Sequence, residues 1–202
     1  MLSAVACLGC STIFHWFYAH SETVNNWLAK LDYAGIAFLI GGSNVPPLVY
    51  GFYCDEYAFS RNCYLVFIES MCIIAFIITL APKFDKPEYR AWRAIVFVIV
   101  GVSGALPVFQ YWYTFDPDYF PHLDTHLWAL GGGLYIFGAF VYASRIPECW
   151  YPGKFDYIGL SHNWWHVLIL IAALTHYFAS LSIYHGRRTL PCPIRGQEFL
   201  TS

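Results

Sequence analysis

The chain has 202 residues, of which 58% are hydrophobic, 20% are aromatic and only 12% are charged. Soluble domains contain about a quarter charged residues on average, so this composition excludes an ordinary soluble domain. The net charge of −2 and the lack of a basic stripe give no support to nucleic-acid binding. Apolar runs of about 20 residues recur along the chain, which is the length that a spanning helix needs. The sequence therefore predicts an all-α, polytopic transmembrane helix bundle.

Six transmembrane helices are predicted, joined by connections too short to hold another domain. The predicted spans cover about 2–20, 32–53, 61–81, 90–112, 126–144 and 162–184. Residues 1–184 then form one helix bundle, and residues 185–202 form a short C-terminal tail. Glycine and proline at 41–47 and 103–107 are expected to kink the second and fourth spans. The glycines at 131–133 allow close packing of the fifth span.

The first apolar run, MLSAVACLGCSTIFHWFYAH, resembles a signal peptide in its position but not in its composition. A signal peptide needs a positive start and a small-residue cleavage site, whereas this run has no basic residue and ends in aromatic residues. A retained span is therefore favoured. CLGC at 7–10 has zinc-like spacing but lacks a second pair, so packed free thiols are expected there. The seven cysteines, an odd number, do not indicate a disulfide framework.

Lysine and arginine predict the orientation in the membrane. If the spans alternate in direction, the loops after the first, third and fifth spans share one side, which we call side B. The loops of side B contain seven lysines and arginines, whereas those of the opposite side, side A, contain only Arg61. The tail adds three arginines to side A. The positive-inside rule makes side B cytoplasmic, with the C-terminus outside or in a lumen. The protein is then a multi-pass protein of the plasma membrane or an endomembrane.

Polar side chains that can bind metal collect at one end of this predicted bundle. Ser11 and His15, four residues apart, share one face of the first span near side B. Asp32 opens the second span, and His162 and His166 open the sixth on one helix face. The three histidines and Asp32 therefore lie at shallow depth on side B. Ionisable groups inside spans are costly, so they mark candidate functional sites.

Three imidazoles are a recognised catalytic zinc set that leaves a fourth position for water. The pattern therefore predicts Zn²⁺ ligated by His15, His162 and His166. Asp32 is expected beside the metal, where a carboxylate can hold water or accept its proton. The sequence predicts a metal centre that joins the first and sixth spans.

Each of these residues also has a simpler interpretation. The two histidines of SHNWWH can be interfacial polar residues beside an aromatic belt, and Ser11 can bond to its own helix. Asp32 can cap a helix in the headgroup region. Glu69, in the third span, can either hydrogen-bond a neighbouring helix or contact a substrate. His176 and His185 are expected to be packing or interface residues.

Four segments resemble a known family: STIFHWFYAHSE, KLDYAGIAFLI, SRIPECWYPGKFD and SHNWWHV. They are similar to the progestin and adipoQ receptor family, most closely its adiponectin receptor branch, from about residue 8 to about residue 180. The resemblance implies a seven-span fold, of which this chain holds six and lacks the first. It also implies zinc on His15, His162 and His166, with Ser11 and Asp32 beside it. Family members resemble zinc-dependent lipid amidases of the alkaline ceramidase kind.

The first functional hypothesis is an adiponectin-receptor-like protein that hydrolyses the amide of ceramide-type lipids and acts in lipid metabolism signalling. Asp32 would be the base, Ser11 would hold water or the oxyanion, and a fatty acid would be a product. The second is a non-enzymatic signalling receptor in which zinc only clamps the helices. Its outer loop 111–125 would face an extracellular protein hormone. A channel or transporter is less favoured, because the polar residues are scattered rather than aligned.

Overall fold

The computed structural model describes residues 1–114, 124–155, 158–190 and 192. Within these ranges the protein is built from seven α-helices and short 3-10 turns, without a strand. The helices are α1 Leu2–Phe17, α2 Glu22–Gly51, α3 Ala58–Thr79, α4 Arg90–Ser103, α5 Ala105–Thr114, α6 Thr125–Ser144 and α7 Ser161–Thr189. The predicted all-α bundle is confirmed. Most of the loop 111–125 and residues 193–202 of the tail lie outside the described residues.

The second helix begins about ten residues earlier than predicted. The polar composition of 20–32 indicates a loop, but α2 starts at Glu22, and the Ser21 hydroxyl accepts a hydrogen bond from the Val24 amide at 3.3 Å. A helix of 30 residues extends about 45 Å, which exceeds a bilayer core of about 30 Å. The polar residues therefore form the aqueous end of the same helix. The helix continues through Pro46 and Pro47.

Four segments of the described chain are long and apolar enough to cross a membrane. They contain α3, α4 with α5, α6 and α7. On α3 the exposed side chains Phe59, Val66, Ile73 and Ile77 recur at helical spacing, so one face is suited to lipid. The fourth span is broken at Gly104, between α4 and α5, where the sequence predicts a kink. α1 is apolar but shorter, and the assignment of α1 and α2 as spans stays a prediction.

α1 and α2 are antiparallel and pack closely through glycines. A β-carbon on Gly35 would lie 3.1 Å from Cα of Cys7, and one on Gly42 would lie 2.6 Å from Cβ of Ser3. A larger residue at Gly42 would therefore displace α1. Cys7 is buried in this contact as a free thiol, as the sequence predicts. This packing places the end of α1 beside the start of α2 on side B.

A disulfide bond joins Cys54 to Cys192, so the expectation from the odd cysteine count is wrong at this pair. The two residues are 138 positions apart, and no local spacing connects them. Cys54 follows α2 and Cys192 follows α7, which places the ends of both helices on side A. Arg187 joins the same ends, because its Nε donates to the carbonyl of Tyr50 at 3.1 Å. Disulfides persist in oxidising compartments, which agrees with the prediction that side A is outside or lumenal.

The orientation can be tested with single introduced cysteines. In a background in which the exposed free cysteines Cys63 and Cys149 are serine, Lys86→Cys should react with a membrane-impermeant maleimide only after cells are permeabilised. The reason is that its loop belongs to the positively charged side B. Glu56→Cys, on side A, should react in intact cells if the protein is at the cell surface. The opposite labelling pattern in intact cells would reverse the proposed topology.

Candidate metal centre

Three histidines from α1 and α7 converge at the side B end of the bundle. His15 lies in the last turn of α1, and His162 and His166 lie in the first two turns of α7. Nε2 of His162 is 2.9 Å from Nε2 of His15 and 3.1 Å from Nε2 of His166. One ring nitrogen from each residue lies within 4.8 Å of the other two. We call these three residues the histidine cluster.

The donor set of the histidine cluster fits a metal ion. In tetrahedral zinc sites the Zn–N distance is about 2.0–2.1 Å, which separates the ligand nitrogens by about 3.3 Å. The distances of 2.9 and 3.1 Å are close to this value. A neutral imidazole has only one N–H, so Nε2 of His162 can donate to one neighbour at most. A cation at the centre would satisfy all three lone pairs at once.

Asp32 and Ser11 lie beside the cluster but do not belong to its converging ligand atoms. Among the described residues, the group that can hold a metal contains only the three histidines. Asp32 interacts with both Ser11 and His15. The Ser11 side chain is 5% exposed, and among the described residues its hydroxyl lies beside Asp32 without a hydrogen bond of normal length. Buried hydroxyls are normally satisfied, so this one is suited to a ligand or water beside the cluster.

A cavity of about 500 Å³ begins at this site and extends into the bundle. Asp32 and His162 line it together with mainly apolar side chains, including Phe97 and Ile136. Its volume lies within the usual range of ligand sites, about 300–1,000 Å³. The arrangement therefore joins polar, metal-binding groups to an apolar chamber of a size that suits a lipid chain.

Glu69 lies apart from this site. A β-carbon on Gly41 of α2 would lie 2.7 Å from Oε2 of Glu69, so the carboxylate contacts the neighbouring helix. Glu69 is not among the residues that line the two cavities of the described bundle. The sequence leaves two interpretations of Glu69 open, contact with a neighbouring helix and contact with a substrate. Its position agrees with the first.

Glu148 is a positioning residue that the sequence analysis missed. Its carboxylate accepts hydrogen bonds from the backbone amide of Ser161 at 2.8 Å and from the Ser161 hydroxyl at 2.5 Å. Burial raises the pKa of Glu148, but the bonds from Ser161 and the charge of Arg145 outweigh it and hold the pKa below its usual value. An anion at the amino end of α7 satisfies free amides and favours the helix dipole. The bond therefore fixes the turn that carries His162.

Tyr142 of α6 also contacts the cluster. Its ring centroid is 5.5 Å from that of His162, and the guanidinium of Arg90 lies 5.0 Å from the Tyr142 ring centroid. These contacts tie α4 and α6 to the start of α7. Nothing in the local sequence pattern distinguishes Tyr142 from the other aromatic residues of its span.

Replacing Glu148 by alanine tests whether its hydrogen bonds to Ser161 hold the start of α7 in place. The variant should lower metal affinity by about tenfold, since residues that orient ligands typically contribute this much or more. The melting temperature should also fall, because Ser161 loses both of its hydrogen bonds to Glu148 and a lost helix cap costs about 1 kcal/mol. Glu88→Ala, which removes an exposed acid on side B, is the matched control. Equal metal affinity in the two variants would show that Glu148 does not position the cluster.

Comparison with known proteins places the chain among membrane proteins. Residues 1–177 match the family model described as Haemolysin-III related. The chain is 41% identical to the adiponectin receptor protein of Drosophila melanogaster over 179 residues, which are 87% of this chain and 39% of the relative. It is 44% identical to heptahelical transmembrane protein 4 of Arabidopsis thaliana, over 88% of this chain and 46% of the relative. It therefore spans less than half the length of these two relatives.

A further relative is matched over most of its own length. The chain is 35% identical to heptahelical transmembrane protein ADIPOR2 of Oryza sativa subsp. japonica. The match covers 94% of this chain and 82% of that protein. The likeness therefore extends over most of a complete relative.

Proposed function

Because the chain belongs to the Haemolysin-III-related family and is an adiponectin-receptor-like membrane protein, we propose that it binds zinc and hydrolyses the amide of ceramide-type lipids. The observation that carries this proposal is the convergence of three histidine nitrogens at the mouth of a cavity that suits a lipid chain. The names of the relatives do not state this chemistry, so it rests on the site. The proposed setting is lipid metabolism signalling.

Each residue of the site has its own role in amide hydrolysis. His15, His162 and His166 would hold the ion, and zinc bound there would supply Lewis acidity for attack on a carbonyl. Asp32 accepts a proton from the attacking water, since a carboxylate beside the metal can act as general base, and it passes that proton to the nitrogen of the leaving amine as the C–N bond breaks. The buried hydroxyl of Ser11, beside Asp32, donates to that water or to the carbonyl oxygen.

The shape and lining of the cavity support a lipid as the substrate. Asp32 and His162 line the same chamber as the apolar residues deeper in the bundle. A lipid amide could place its polar group at the cluster and its acyl chain among these apolar residues. The side B depth of the cluster keeps the amide within reach of water. A fatty acid is then one product.

The experiment is fatty-acid release from ceramide by purified, zinc-loaded protein. Release should stop on chelation and return when zinc is restored, because the reaction requires the ion. The same preparation of His162→Ala controls for a contaminating amidase and should be inactive. Release that persists in this variant or under chelation would overturn the proposed activity.

A second candidate function is signalling without hydrolysis. The cluster joins residues that are 147 positions apart, so a metal there would clip α1 to α7. An extracellular protein hormone would then act on side A, where the loop 111–125 lies mostly outside the described residues. Full zinc occupancy without any ceramide turnover would favour this function over the first.

A further inference from the structure

A second cavity, of about 370 Å³, lies in the half of the bundle nearer side A. It is bounded by the start of α1, the later turns of α2 and the later turns of α7, from His176 to Tyr184. His176 is 14 residues beyond His162, which corresponds to about 21 Å along the helix. The second cavity is therefore well separated in depth from the histidine cluster.

His176 presents one buried, unpartnered nitrogen beside this cavity. The side chain is 9% exposed, and its ring stacks on Trp128 with centroids 4.1 Å apart. Nε2 lies 3.2 Å from the carbonyl oxygen of Trp128. Because a carbonyl only accepts, Nε2 donates, and in a neutral ring Nδ1 is then a bare acceptor. Nδ1 has no hydrogen-bond partner in the described structure.

The position of the ring directs this acceptor away from α6. A β-carbon on Gly131 would lie 2.2 Å from Cδ2 and 2.6 Å from Nε2 of His176, so this edge of the ring is pressed against α6. Nδ1 occupies the opposite edge of the ring, away from Gly131, and His176 lines both the second cavity and the large cavity. Such close packing also explains why residue 131 is glycine.

Tyr135 supplies a second unpartnered group at the same place. Its hydroxyl is buried without a hydrogen-bond partner among the described residues, and its ring centroid is 5.4 Å from that of His176. Both side chains line the second cavity, and both also line the large cavity, so they lie between the two. A phenol hydroxyl can donate, whereas Nδ1 of His176 can only accept. One hydroxyl group on a ligand could therefore accept from Tyr135 and donate to His176.

We infer that the second cavity binds an uncharged lipid alcohol, whose hydroxyl pairs with Nδ1 of His176 and the hydroxyl of Tyr135. Besides His176, the described side chains of the lining are tyrosines, serines and apolar residues, without lysine, arginine, aspartate or glutamate; Met1, which carries a backbone amino group, is also among the lining residues. No charged side chain of the described lining could pair with a charged head group, and an unpaired charge is costly at membrane depth. The volume lies within the usual range for a small ligand. The tyrosines Tyr50 and Tyr184 line the end nearest side A.

The probe is a photoreactive, alkyne-tagged hexadecanol, compared with its methyl ether, which lacks the donor. The alcohol should crosslink to peptides of α1 and α7 that line the second cavity, and it should bind about three- to tenfold more tightly than the ether. Tyr135→Phe breaks no existing hydrogen bond, so the variant should fold, and it should reduce this preference. His176→Phe should abolish it. His185→Phe, at an exposed position of the same helix, is the matched control.

Several outcomes would overturn this inference. Equal binding of the alcohol and the ether by the unaltered protein would mean that Nδ1 of His176 and the hydroxyl of Tyr135 form hydrogen bonds only with water. An alcohol preference that survives both Tyr135→Phe and His176→Phe would place the ligand elsewhere. Crosslinking confined to residues of the large cavity alone, such as Phe97 and Ile136, would do the same. Zinc content, measured on the same variants, separates failure of this site from failure of the metal centre.

Discussion

Replacing His162 with alanine should remove the metal and destabilise the bundle in the same step. The change leaves two imidazoles, and a tightly held zinc needs at least three protein ligands. Because the ion would join α1 to α7, its loss removes stability that binding supplies, about 2.7 kcal/mol at a ligand concentration of 100 times Kd. The measurement is zinc per chain by mass spectrometry, together with thermal unfolding with and without chelator. His15→Ala and His166→Ala should behave alike.

The control for this prediction is His185→Ala, which removes an exposed histidine of the same helix. It should keep a full complement of zinc and the melting temperature of the unaltered protein. If His162→Ala and His166→Ala both retained full zinc, SHNWWH would be an interfacial aromatic belt, and the proposal of a metal centre there would be wrong.

Replacing Asp32 with asparagine should separate binding from chemistry. Asp32 is not among the converging ligand atoms, so most of the zinc should remain. Asparagine cannot accept the proton of the attacking water, and ceramide turnover should fall by about 10²–10⁴-fold, the usual contribution of a general base. Ser11→Ala should have a smaller effect, because it removes one hydrogen bond rather than the base. Turnover and zinc content should be measured on the same preparations.

The result that would contradict this role is loss of zinc. If Asp32→Asn lost the metal as completely as His162→Ala, Asp32 would be a ligand. The site would then be closed by four protein groups, as in structural zinc centres. That outcome would favour the non-enzymatic receptor.

The histidine cluster could be predicted because, in a membrane protein, the order of residues along successive spans indicates their depth in the membrane. His15 ends one predicted span and His162 begins another on the same side, so their level follows from counting spans. Spacing of four residues then puts His162 on the same helix face as His166. No comparable rule gives the lateral order of helices, so the contact between α1 and α7 was predicted only by treating the three histidines as ligands of one metal, and the structure shows the two helices in contact there.

Other features depend on contacts that no local pattern encodes. Glu148 caps α7 from a turn 13 residues earlier, and the disulfide joins Cys54 to Cys192 across 138 positions. The early start of α2 was missed because a polar segment resembles a loop whether or not it continues a helix. The depth of Ser11 and His176 within the packed bundle, and with it their unpartnered atoms, also requires the full set of helix contacts.

X-ray absorption at the zinc edge of the purified protein is the most direct test of a zinc centre built by the histidine cluster. The spectrum should show three imidazole nitrogens at about 2.0–2.1 Å and no sulfur. The imidazole scattering should disappear in a zinc-supplemented preparation of His162→Ala. A sulfur shell would place the metal on cysteines such as Cys7 and Cys10 instead. Protein purified with added zinc that retained none of it would contradict the metal centre altogether.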